Sequence, residues 1–165
     1  MNIEVNLNNL TKEEQEQFNA LVEKANKSKS KAWKPEEEKQ YYCIEAGGKI
    51  KNFKYISAFD KFNYTMGNCF KTREEAEFAL ERLKVIAEMK HYIAEHDDVE
   101  LDWNSCEQEK YYILYYYDTD SIDIDYFRQT QFVDNSLYAS SEEILENMIK
   151  EIGEDRIKKY YFGVE

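Results

Sequence analysis

Four aspartates in the stretch YYILYYYDTDSIDIDY, residues 111–126, are the first candidates for chemistry in this chain. The run DTDSID places carboxylates where a calcium-binding loop has its first and third ligands. It lacks the glycine that such a loop needs at the sixth position and the glutamate that it needs at the twelfth. We therefore predict neither a metal site nor any other cofactor.

Signals for catalysis are weak elsewhere in the sequence. Cys43, Cys69 and Cys106 have no CxxC spacing, and with two histidines in the chain a zinc site is not predicted. Reduced thiols in a cytosol explain such cysteines. GxSxG, P-loop and HExxH motifs are absent, and His91 and His96 are interpreted as surface residues at a helix end. We expect a protein that is not an enzyme.

The aspartate-rich stretch is explained best as a β-hairpin, in which KYYILYYY and SIDIDYF flank the turn Asp118-Thr119-Asp120. Pairing Tyr117 with Ile122 across the turn sorts the side chains onto two faces. The apolar face, expected to pack on a helix, carries Ile113, Tyr115, Tyr117, Ile122, Ile124 and Tyr126. The other face carries Tyr112, Leu114, Tyr116, Asp123, Asp125 and Phe127.

The second of these faces is the candidate partner-binding site, with the residues Tyr112, Tyr116, Asp118, Asp120, Asp123 and Asp125. Carboxylates two residues apart on a strand are ~7 Å apart, close to the spacing of successive phosphates on a nucleic-acid strand. Such a surface fits a basic groove, and exposed tyrosine beside acid is a common interface composition. Two alternatives stay open: the aspartates pair with lysines of the same chain, or they only keep an exposed hairpin soluble.

Charge is distributed unequally along the 165 residues. Residues 1–32 and 33–95 are each neutral, whereas residues 96–165 hold six basic and eighteen acidic residues and so carry the whole net charge of −12. This acidity argues against direct binding to nucleic acid or to an anionic membrane, and favours a protein partner with a basic surface. No apolar run is long enough to span a membrane and no signal peptide is visible, so we expect a cytoplasmic protein.

The chain contains the pattern of a diverged internal duplication. Trp33 precedes Tyr41-Tyr42 by eight residues, as Trp103 precedes Tyr111-Tyr112. Two capping boxes follow, predicted at Thr72 with Glu75 and at Ser140 with Glu143. The helix that begins after Thr72 is expected over 73–95, with the apolar stripe Ala76, Ala79, Leu80, Leu83, Ile86, Ala87 and Ile93.

These elements predict an α+β fold of two diverged β-hairpin/helix repeats, with antiparallel sheet backed by helices. An edge strand at 3–7 and an amphipathic helix capped by Thr11 and Glu14 form an N-terminal segment, residues 1–32. The first repeat spans 33–95, with its strands around Ala46-Gly47-Gly48 and the second strand extending over 49–59. The second, acidic repeat spans 96–165, with helices at 141–152 and around 154–160, and the whole chain is compatible with one compact domain.

The first repeat offers an alternative ligand-binding site. Lys49, Lys51 and Lys54 alternate with Phe53 and Tyr55, a composition that suits phosphates and stacked bases. A non-enzymatic sponge for a signalling nucleotide or a nucleic acid is therefore an alternative hypothesis. A homodimer, in which this basic strand of one chain meets the acidic hairpin of another, is a third.

Four stretches carry a resemblance to known proteins: Trp33-Lys34-Pro35, the Tyr-Tyr strand, GNCFKTREEAEFALERLK (67–84) and GEDRIKKYYFGVE (153–165). Together they resemble small accessory proteins of phages and prophages in Firmicutes. Phage proteins of this size and acidity often antagonise host defence, including as anti-CRISPR proteins. The resemblance implies a viral protein acting in the host bacterial cytosol by binding and inhibiting a host defence protein, with a CRISPR effector nuclease as leading candidate. The acidic hairpin would then mimic nucleic acid in a basic groove, a function inferred from context rather than from a site.

Overall fold

The computed structural model describes residues 11–26, 33–128 and 137–164. Helix α1 spans Lys12–Asn26, the first hairpin is β1 (Gln40–Glu45) with β2 (Lys49–Lys54), and α2 (Ala58–Thr65) and α3 (Arg73–His96) follow. Strands β3 (Lys110–Tyr116), β4 (Ser121–Phe127) and β5 (Tyr138–Ala139) precede α4 (Glu142–Ile152), α5 (Glu154–Ile157) and a π-helical turn, Lys158–Phe162. Helices beside two small antiparallel sheets confirm the predicted α+β class.

The N-terminal segment is described only in part. The predicted strand at 3–7 lies outside the described residues. The predicted capping box at the start of α1 is confirmed, because the Thr11 amide donates to Glu14 Oε2 at 2.8 Å and the Glu14 amide donates to Thr11 Oγ1 at 3.4 Å.

The first hairpin turns through Ala46-Gly47-Gly48, as predicted, with Glu45 opposite Lys49. Gly47 and Gly48 have φ values of +79° and +74°, which L residues with a Cβ rarely adopt. A Cβ on Gly48 would lie 3.5 Å from Leu80 Cδ1, so the turn also approaches α3 closely.

The predicted second strand over 49–59 is too long. Strand β2 ends at Lys54, and Ser57 begins helix α2 instead. The Ser57 side chain accepts from the Asp60 amide while the Asp60 carboxylate accepts from the Ser57 amide, a capping box that outweighs the strand propensity of the preceding residues. The Ser-x-x-Asp pattern is the sequence signal that marks this helix start.

Asp60 is a buried polar residue beside the first core, whose buried members are Tyr41, Cys43 and Tyr55. It is 3% exposed, and its carboxylate accepts from the Tyr41 hydroxyl at 2.7 Å, from the Ile56 amide at 3.0 Å and from both donors of Ser57 at 2.6 Å. Asn63 Nδ2 donates to the Tyr41 hydroxyl at 3.0 Å. Burial alone would raise the pKa of Asp60, but the hydrogen bonds from Ser57, Tyr41 and Ile56 outweigh it and lower the pKa to about 2.

Helix α3 buries two opposite sides. Ala76 and Leu80, one turn apart, face the first hairpin, whereas Val85 and Met89 are fully buried in the core of the second unit. The predicted single stripe was therefore wrong in part: it omitted Val85 and Met89, and it included Leu83, which is 59% exposed.

The second core lies between the sheet β4-β3-β5 and the helices. Its buried members are Val85, Met89, Ile113, Leu137, Ala139, Leu145, Met148 and Ile157. In the first repeat a single antiparallel bridge between Tyr42 and Phe70 stands at the position that strand β5 occupies in the second repeat. The two repeats share the order hairpin, third strand or bridge, and helix, but α2 lies between the hairpin and the bridge in the first repeat only; the duplication itself stays a prediction.

The two predicted N-caps have different outcomes. Thr72 caps α3 in a complete capping box with Glu75, as predicted. The prediction for Ser140 was wrong by one residue, since the N-cap of α4 is Ser141, without a side-chain cap. Ser140 instead donates from its amide and its hydroxyl to Asp97 at 2.7 and 2.6 Å, which ties the end of α3 to the start of α4.

Replacing Asp60 by Asn should reduce the free energy of unfolding by about 2 kcal/mol at pH 7, because a buried, multiply bonded carboxylate is lost. The folded pKa of about 2 lies below the ordinary value of 3.8. This contribution is therefore complete above about pH 4 and disappears as the pH falls through about 2. Urea unfolding of both proteins at pH 7 and pH 3 measures it.

The matched control is Asp98→Asn, which removes an exposed carboxylate at the end of α3. It should change the free energy of unfolding by less than about 0.5 kcal/mol. Equal destabilisation by the two variants, or a difference that does not shrink at pH 3, would contradict the role given to Asp60.

Candidate functional site

The second hairpin displays the candidate partner-binding residues. Its strands pair with Ile113 opposite Ile124 and Tyr115 opposite Ile122. The predicted pairing of Tyr117 with Ile122 was wrong by two residues, because Tyr117 belongs to the turn. A shift of two leaves every strand residue on its assigned face, and Ile122 and Ile124 pack on the core as predicted. Tyr126, predicted for the same core face, is 47% exposed, so that part of the prediction was wrong.

Asp123 and Asp125 are exposed on the outer face of β4. Asp123 Oδ1 accepts from the amide of Ile124 at 2.9 Å, and Asp125 Oδ1 accepts from the amide of Tyr126 at 2.7 Å. Within the described residues, neither carboxylate forms an ion pair with a lysine or an arginine. The alternative in which these two aspartates are neutralised by lysines of the first repeat therefore has no support from the described contacts.

Asp120 is in a different environment from the other three aspartates. Its backbone has φ +50°, and its carboxylate accepts from the Tyr115 hydroxyl at 2.7 Å and lies 3.4 Å from Lys158 Nζ. The hydrogen bond from Tyr115 and the charge of Lys158 lower the pKa of Asp120. Asp120 thus serves the turn internally, while Asp118, Asp123 and Asp125 remain exposed.

The tyrosines of the site are also divided. Tyr116 is 47% exposed beside the turn. Tyr112 is half-buried, because its ring packs against Phe127 at 5.7 Å and Tyr138 at 6.2 Å, and burial raises the pKa of its hydroxyl. Tyr117 was assigned to the core face, yet it is 86% exposed. Its place immediately before Asp-Thr-Asp was the available signal that it belongs to the turn.

We use the name acidic face for the exposed residues Tyr116, Asp118, Asp123 and Asp125 of this hairpin. One end of the outer face is covered by the segment 100–109, which brings Trp103 against Tyr138 at a ring distance of 5.2 Å. The acidic face therefore extends from the turn to Asp125, opposite Tyr112, where the covered part of the outer face begins.

Lys110, which the sequence did not single out, holds that covering segment. It is 1% exposed, and its ammonium donates to the carbonyl oxygens of Ser105 at 3.3 Å and Gln108 at 3.0 Å and lies 5.9 Å from the Trp103 ring centre. A buried cation satisfied by backbone oxygens has a structural role here. No sequence pattern distinguishes it from a surface lysine at a strand end.

The alternative ligand site in the first repeat is not assembled as a stacking platform. Tyr55 is 7% exposed and Phe53 packs with it around Tyr41, at ring distances of 6.0 and 6.3 Å from Tyr41. Lys51 pairs with Glu45 at 2.7 Å. Lys49 and Lys54 are exposed, but the two rings that would meet a base lie in the core.

Other chemistry has little support in the described ranges. There, no three His, Cys, Asp or Glu side chains form a group that could hold a metal ion. Cys43 and Cys69 belong to the first core, where burial raises the pKa of both thiols, to about 11 for Cys69. The described helices include none with the length and apolar composition to cross a bilayer.

Comparisons with protein-family models, with curated proteins and with solved structures gave no match to this chain. The functional argument consequently depends on the surface of the molecule itself.

Replacing Lys110 by Met should destabilise the fold by about 1–3 kcal/mol, because two partly buried carbonyl oxygens lose their donor. It should also release Trp103 from its packed position. In a Trp33→Phe background Trp103 is the sole tryptophan, so its emission should move to longer wavelength before global unfolding. Lys150→Met, at an exposed position of α4, is the control, and an equal response in both variants would refute the role of Lys110.

Proposed function

We propose that this protein is a binding protein that occupies a basic, nucleic-acid-binding surface of another protein with its acidic face. The observation that carries the proposal is that Asp123 and Asp125 are exposed on a strand without an ion-pair partner among the described residues. Such carboxylates are available to the cations of a partner. No ion pair within the described residues has to be broken before they bind.

The scaffold favours a preorganised charge array. The inner side of the same strand places Ile122 and Ile124 against the second core, so the outer carboxylates are held at a fixed spacing. Two residues of strand give ~7 Å between them, comparable with successive phosphates. A rigid array loses less conformational entropy on binding than a flexible acidic tail would.

Charge elsewhere in the molecule adds to the same field. The first 95 residues are neutral overall, and the net charge of −12 resides in residues 96–165. An asymmetric charge of this size accelerates association with a cationic surface, and the acceleration weakens as salt screens it.

The partner class follows from the phage-protein resemblance together with the acidic face. A nucleic-acid-handling protein of a bacterial host, with a CRISPR effector nuclease as first candidate, presents a positively charged channel that such a face would fill. The sponge hypothesis is less supported, because Phe53 and Tyr55 pack into the first core.

The test is a cleavage assay with a panel of purified CRISPR effector nucleases, in which the protein is titrated at low and at high salt. The parent protein should inhibit at least one member, and less effectively at high salt. Asp123→Lys with Asp125→Lys should raise the inhibitory concentration at least about tenfold, because two attractive contacts become repulsive.

The matched control is Glu146→Lys with Glu151→Lys, which changes the net charge equally at two exposed positions of α4. It should retain most of the inhibition. Inhibition by the aspartate variant at the parent's level, or equal losses in both variants, would exclude the acidic face as the contact, and a parent inactive against the whole panel would exclude this partner class.

A further inference from the structure

Helix α2 has an apolar side that is exposed in the described structure. Phe59, Phe62 and Met66 follow one another at intervals of three and four residues and so lie on one side of the helix. They are 60%, 60% and 67% exposed. We call these three residues the α2 surface. Burial of large apolar side chains against a partner is favourable, so the three together form a potential contact of considerable strength.

The α2 surface continues into a groove of about 400 Å³ between the end of α2 and helix α3. Met66, Phe70, Leu83 and Ile86 supply apolar lining of the groove, and Arg82 lines it as well. Leu83 is exposed on its α3 side and Arg82 stands beside it. An apolar patch joined to an apolar groove is the usual form of a protein-docking site rather than of scattered surface residues.

The stretch of chain that contains the α2 surface is rich in basic residues. Residues 46–73 contain six basic residues and one acidic residue, and that acid is the buried Asp60. Among the described residues, Lys54, Lys61 and Arg82 form no ion pair. An occupant of this site would therefore combine apolar or aromatic groups with carboxylates.

The same chain carries a surface of that chemistry. The acidic face has three exposed aspartates, and Tyr116 and the turn residue Tyr117 beside it are 47% and 86% exposed. We propose that copies of this protein associate head to tail, with the α2 surface of one copy against the acidic face of the next. Aromatic rings would meet Phe59, Phe62 and Met66, while carboxylates meet Lys61 and Arg82.

This association goes beyond the proposed function, and it would regulate the acidic face. The aspartates that engage a neighbouring copy are withdrawn from any other cationic partner. Dilution or the arrival of a tighter-binding partner would then release them. Self-association can be tested without knowing that partner.

Sedimentation velocity of the full chain over a concentration series, at low and high salt, measures the association. The parent should sediment faster as its concentration rises, and the effect should weaken at high salt. Phe59→Ser with Phe62→Ser should raise the dissociation constant at least about tenfold, and so should Asp123→Lys with Asp125→Lys. Val99→Ser, which removes an apolar side chain 54% exposed in another segment, should sediment as the parent does.

Mixing the two defective variants is the decisive measurement. Each retains the surface that the other lacks, so the mixture should form one-to-one complexes although neither variant associates alone. A parent that stays monomeric throughout, a phenylalanine variant that associates as well as the parent, or a mixture without complexes would each overturn the proposal.

The phenylalanine variant also separates this inference from the proposed function, because its acidic face is intact. If the acidic face inhibits a nuclease, this variant should inhibit at least as well as the parent. Loss of self-association with retained inhibition supports both ideas, retained self-association with retained inhibition overturns the head-to-tail arrangement alone, and lost inhibition contradicts the proposed function.

Discussion

One helix has to satisfy two cores, and the rest of the architecture depends on that constraint. The 24-residue helix α3 presents Ala76 and Leu80 to the first hairpin, and Val85 and Met89 to the second core. Arg156 of α5 reinforces the contact with the second core. It pairs with Glu88 of α3, and its Nη2 lies 3.9 Å from Oε2 of Glu81 on the same helix. The repeat pattern places a boundary at residue 95, directly after α3. In the structure α3 packs against the hairpin of the first repeat and against the second core, so it belongs to both.

Buried polar groups fix the loops that these cores leave open. Asp60 gathers Tyr41, Ser57 and Ile56 around one carboxylate, and Lys110 gathers the carbonyl oxygens of Ser105 and Gln108 around one ammonium. In each case hydrogen bonds to uncharged groups stabilise the buried charge, so no opposite charge is needed beside it. The consequence for the acidic face is indirect: the hairpin that bears it is clamped at its open end by the segment that Lys110 holds.

Local patterns predicted the elements more reliably than they predicted partners. The turn at Ala46-Gly47-Gly48, the box at Thr72 and the two faces of the second hairpin follow from short-range rules, and the structure agrees. Helix α2 was missed because β-branched and aromatic residues before Ser57 resemble a strand until the cap is recognised. Val85 and Met89 were missed because a helix between two cores has no single apolar stripe.

The sequence predicted which hairpin carries the candidate site, but it could not predict which of the hairpin's residues are exposed there. Alternation placed Asp123 and Asp125 outward, as they are. The engagement of Asp120 depends on Lys158, 38 residues away, and the partial burial of Tyr112 depends on Tyr138 from a later strand. Contacts between distant residues leave no periodic signal in one chain, so sequence reasoning cannot separate the internal aspartate from the exposed ones.

The π-helical turn at Lys158–Phe162 packs against the tip of the acidic hairpin. Lys158 contacts Asp120, Phe162 lies 5.9 Å from the Tyr115 ring, and Tyr160 lies 5.3 Å from the Phe78 ring of α3. An affinity tag or a fluorescent fusion attached directly after these residues would disturb their contacts with the turn that contains Asp118 and Asp120. A flexible spacer between Gly163 and any added module preserves that anchorage.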